Sequence, residues 1–110
     1  MKLVVLGLWL ALYYSPASAA QKPQTFIGVI SDDVCPKADH SGMRMGSNDA
    51  ECTIACVDAH GANYVLYDGK NSFKLVGSTS PRPFAGQKVR VQGELDAEMK
   101  TLRVESIVKM

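Results

Sequence analysis

The chain has 110 residues, 46% hydrophobic and 21% charged, with 12 Lys+Arg against 11 Asp+Glu and a formal net charge of +1. That length sets one domain with a modest core. No block of like charges occurs, so neither nucleic acid nor an anionic membrane surface is expected as a partner.

The first residues address the compartment. Lys2 supplies a positive start, LVVLGLWLAL (residues 3–12) an apolar run, and Ala17-Ser18-Ala19 the small residues of a cleavage site. This pattern predicts a secretory signal peptide over residues 1–19, cut after Ala19. Ten apolar residues make half of a spanning helix, so no stable membrane anchor is expected after cleavage. The remaining domain, residues 20–110, is expected to be periplasmic or secreted. Without Lys2, its 11 basic and 11 acidic residues balance.

TFIGVIS (25–31) reads as the first strand, with Gly28 marking a bulge or a close backbone approach. Asp32-Asp33 ends it; the pair could bind a hard cation, but adjacent acids at a strand end are more often a solvated turn. Residues 34–48 hold no sustained period and contain Pro36, Gly42 and Gly46, which makes a long loop. Loops of that length are functional or tied down. Asn48 and Glu51 form a capping-box pair opening a helix over about 49–60, and Gly61 is a natural left-handed terminator. NYVLYD (63–68), the turn Asp68-Gly69-Lys70-Asn71 and SFKLVG (72–77) make a hairpin. STSPRPFAG (78–86) is a Pro-containing connection. QKVRVQGEL (87–95) alternates, with Val89 and Val91 inward. TLRVESIV (101–108) does the same, with Leu102 and Val104 inward.

Five short strands and one helix predict a mainly β fold. The expectation is a small five-stranded OB-fold-like barrel, with the helix between strands 1 and 2; an SH3-like barrel is the alternative.

Two groups of motifs carry a resemblance. YVLYDGKNSFKLVG, PFAGQKVRVQGELD and TLRVESIV resemble the closing half of small exported bacterial OB-fold domains. FIGVISDDVC, His40 and ECTIACVDAHGANYVLY are similar to a group of uncharacterised small exported bacterial proteins with a C…H…CxxxC cluster. The resemblance spans nearly all of residues 26–107. It implies a fold and an exported location rather than a reaction.

All three cysteines lie in CPKADHSGMRMGSNDAECTIAC (35–56). Cys52 and Cys56, four apart, share one helix face and can converge on a common point. Parallel Cα–Cβ bonds oppose the torsion of a disulfide between them, so each looks outward, toward Cys35. One reading is a disulfide from Cys35 to Cys52 or Cys56, stapling a non-catalytic binding or structural module for an unknown ligand or protein. It would contribute ~3 kcal/mol and leave one thiol able to pair two chains. The alternative is a soft-metal site of Cys35, His40, Cys52 and Cys56, holding zinc or copper, with Met43 and Met45 as candidate copper ligands. A third reading is a thiol redox protein, in which Cys52, in the helix's first turn, is the most acidic candidate.

His60 reads as a surface residue at the helix end. Tyr64 and Tyr67 read as packing residues. Ser31 and Ser41 near His40 lack a nucleophile elbow and a third member, so hydrolysis is rejected and no catalytic residue is named.

Overall fold

The computed structural model describes residues 23–35, 38–42, 44 and 46–110. The expected signal peptide, residues 1–19, and the candidate ligands Met43 and Met45 lie outside the described residues. The elements in chain order are β1 (Gln24–Asp32), α1 (Asp49–His60), β2 (Tyr64–Tyr67), β3 (Ser72–Val76), a short 3-10 turn (Arg82–Phe84), β4 (Lys88–Asp96) and β5 (Thr101–Lys109). The protein is mainly β with one helix, placed between the first two strands as its sequence predicts. No helix among the described residues is long and apolar enough to cross a membrane.

The sheet closes on itself in the order β1-β2-β3-β5-β4, with β4 returning to pair with β1. All neighbours are antiparallel except β3 and β5, which run parallel. Strand alternation sends one face inward. Ile30, Leu66, Val89, Val91, Leu102 and Val104 fill the interior, joined by Phe73, Leu75 and Ile107. Each such large side chain contributes roughly 1.5–3 kcal/mol when removed from water.

Position 29 of β1 is a seam. Residues 24–29 pair with β4 and residues 29–32 pair with β2. Gly28 is needed here, because a Cβ would collide with the carbonyl of Tyr67 where β2 arrives. The Pro-containing connection does more than link β3 to β4. Its Gly86 N–H donates to the Ile30 carbonyl at 2.8 Å, and the Ile30 N–H donates to the Gln87 carbonyl at 3.1 Å, continuing the β1 ladder past the end of β4.

α1 packs against β1 and makes the end of that strand buried on both faces. Ile30 points into the ring, while Ser31 and then Asp32 are buried as well. Strict alternation would have left one of these in solvent. In β5, a register shift opposite Gln92 and Gly93 inserts an extra residue at Glu105. The shift turns Ile107 into the core and leaves Val108 half exposed.

Candidate metal centre

The site forms where β1 leaves the ring and passes under α1. Asp32, the last residue of β1, is fully buried. Its Oδ1 accepts the N–H groups of Val34 at 3.1 Å and Cys35 at 2.9 Å, a side-chain turn that fixes where the chain goes next. Ser31 Oγ donates to the Cys35 carbonyl at 3.0 Å, and the Ala38 N–H donates to the same carbonyl at 2.9 Å. Ala38 adopts a left-handed φ of 60°. An L-residue holds that conformation only when its surroundings impose it. The result folds the loop back so that His40 lands on Asp32.

His40 is 2% exposed. Its Nε2–H donates to Asp32 Oδ2 at 2.9 Å. Its Nδ1 lies 3.4 Å from Asp49 Oδ1, within ion-pair range but outside hydrogen-bonding geometry, so Nδ1 has no hydrogen-bond partner. One ligand atom each of Asp32, Cys35 and His40 fall within 4.8 Å of one another.

α1 closes the site from above. Asn48 Oδ1 accepts the Glu51 N–H at 2.9 Å, as the capping pattern predicts. The Glu51 carboxylate reaches the Ser47 N–H at 2.9 Å rather than that of Asn48. Gly61 ends the helix with φ 66°. The buried face of the helix consists of Cys52, Thr53 and Cys56, so sulfur takes the place usually held by leucine.

Cys35 stands at the start of the loop, and Cys52 and Cys56 lie on the buried face of α1. No disulfide joins them; each is a free thiol. The expected staple is therefore not formed in this structure, and the contacts of the sulfurs show why. Cys52 Sγ accepts the Gly46 N–H at 3.2 Å and donates to the Gly46 carbonyl at 3.4 Å. Cys56, on the buried face of α1, lies near enough to Asp32 for that carboxylate to raise its thiol. Cys35 Sγ belongs to the Asp32–His40 group. Burial, then the Asp32 carboxylate, pushes the Cys56 thiol up to about 11. Burial and then Asp32, Asp39 and Cys52 push the Cys35 thiol up. Both therefore remain protonated at neutral pH unless a cation arrives to offset the carboxylates.

Of the four ligands expected from sequence, Cys35 and His40 come together, Cys56 adjoins them through Asp32, and Cys52 turns to the Gly46 backbone. Asp32, expected as a solvated turn residue, is instead the centre of the group. The signal for it lay in the three-residue step from Asp32 to Cys35, the spacing of a side-chain-capped turn. Its neighbour Asp33 does behave as a surface residue, accepting the Asn63 N–H at 3.0 Å and the Asn63 amide at 2.9 Å. His60 is exposed at the far end of α1. Ser31 is occupied with the Cys35 carbonyl, and the exposed Ser41 offers its N–H to Asp39. No protein-family model, curated protein or solved structure matches this chain.

Proposed function

We propose that this protein is an exported zinc-binding module on an OB-fold-like ring, holding the ion with Asp32, Cys35, His40 and Cys56. The observation that carries this reading is the buried convergence of a carboxylate, a thiol and an imidazole within 4.8 Å. Two carboxylates, Asp32 and Asp49, flank the imidazole, and two thiols adjoin Asp32. The two carboxylates supply negative charge that a cation would offset.

The donor set favours zinc over copper. Zinc accepts sulfur, nitrogen and oxygen in a tetrahedral shell, whereas Cu(I) selects all-soft thiolate and thioether ligands. Four protein ligands leave no open position for substrate, which fits storage, buffering or structural reinforcement rather than catalysis. The strand order and the parallel β3–β5 pair agree with the OB-fold reading. In such folds the connection between strands 1 and 2 is a ligand-binding loop, and here that connection carries the site. The signal-like start supports export. In an oxidising compartment, ligation to an ion would also protect thiols from pairing.

The test uses residues 20–110, reduced, stripped with chelator and then titrated with zinc. One equivalent is expected to bind, and three thiols are expected on denaturation without reductant. Cys35→Ser and His40→Ala should each weaken zinc by at least ~100-fold, while Cys52→Ser should stay within about 3-fold of wild type. Retention below about 0.2 equivalents, or a count of one thiol, overturns the proposal.

A further inference from the structure

The unpartnered Nδ1 of His40 carries one more step, which rests on the zinc reading. A buried ring nitrogen without a partner is uncommon, since nearly all buried polar atoms are satisfied. Nε2 is held by Asp32 Oδ2 at 2.9 Å, and Nδ1 faces a carboxylate oxygen of Asp49 at 3.4 Å without a hydrogen bond.

An ion at Nε2 would decide which nitrogen bears the proton. The proton then resides on Nδ1, and Asp49 becomes the acceptor that position lacked. Metal-bound histidines nearly always donate their second nitrogen to a carboxylate, a carbonyl or water. Asp49 can take that role through a small shift of its exposed side chain, because α1 begins with it and the cap at Asn48 fixes its backbone relative to the loop. We infer that Asp49 is the outer positioning residue of the zinc site, orienting His40 by accepting its Nδ1–H when Nε2 binds the ion. Asp49 touches no metal in this scheme. It selects the tautomer that does, and it ties the first turn of α1 to the ion.

Two substitutions separate this role from a general effect on the helix. Asp49→Ala and Asp49→Asn both remove a negative charge from the first helical turn, but only Asn keeps an acceptor oxygen. Zinc affinity, measured by competition with a chromophoric chelator, should fall ~10–100-fold for Asp49→Ala and within about 3-fold for Asp49→Asn. Nitrogen NMR of the wild-type imidazole supplies a second measurement that needs no variant. With zinc bound, Nε2 should carry no proton and Nδ1 should carry one. Equal affinities for Asp49→Ala and wild type, an Asp49→Asn variant as weak as Asp49→Ala, or a loaded ring that keeps its proton on Nε2 would each overturn the assignment. If the zinc reading itself fails, wild type takes up no zinc, which is a different result from any of these.

Discussion

A fully buried carboxylate such as Asp32 costs several kcal/mol to desolvate, and it persists only because its surroundings answer every lone pair. Two backbone N–H groups and an imidazole do so here. Asp32→Ala removes all of these at once and leaves His40 and two amides without partners. The expected loss is about 3–5 kcal/mol in denaturant unfolding of the metal-free protein, together with loss of zinc binding. A small effect on stability would mean that the group is less tightly coupled than its distances imply. Asp32 was also the residue hardest to read in the sequence. An Asp-Asp pair after a strand looks solvated, and only the helix laid over the strand end buries the first of the two. His40 and Cys35 were legible because imidazole and thiol are rare enough to stand out. Cys52 stood out equally, yet its sulfur turns to a backbone group, Gly46, that sequence pattern does not reveal.

At the scale of elements, local chemistry was decisive where it was self-contained. The helix begins and ends at the residues its caps predict, Asn48 and Gly61, because those positions are set by backbone conformation and one or two nearby hydrogen bonds. Asn48→Ala should cost about 1 kcal/mol, read as a lowered urea midpoint with unchanged slope. Asp68, likewise, closes the β2–β3 turn through the N–H groups of Lys70 and Asn71, as that turn sequence implies. Period-2 alternation placed Val89, Val91, Leu102 and Val104 correctly. It failed after Glu105, where the extra residue in β5 exchanges the roles of Ile107 and Val108. A bulge is set by the partner strand's register, and no single strand's pattern contains it.

The whole molecule adds what no element specifies, the parallel β3–β5 pair and the return of β4 to β1. Its electrostatics set a stability window. Arg82, hydrogen-bonded to Asp58 at 2.8 and 3.1 Å, holds that carboxyl below its ordinary range, and the N–H groups of Asn71 and Lys70 do the same for Asp68. A depressed native value means stability that is present above the ordinary carboxylate range near 4 and lost as pH falls through the native value. The raised thiols of Cys35 and Cys56 act oppositely. Their share is full below the ordinary thiol value near 8.5 and is lost as pH rises past it. For the zinc-free protein under reductant, the melting temperature should be level from about pH 5 to 8 and fall on both sides. Arg82→Ala should shrink the acid-side fall, and salt should shrink it further because the Asp58–Arg82 pair is half exposed.

The proposed ligands occupy a short stretch of chain, Asp32 to Cys56, whereas closing the ring joins β1 to β4 across more than twice that separation. Bringing distant segments together costs more chain entropy than bringing near ones together, and it slows the search for the native state. An ion captured by that stretch would gather the end of β1, the loop and the helix while the later strands are still unpaired. The metal would then serve as a nucleus for assembly as well as a lock on the finished structure.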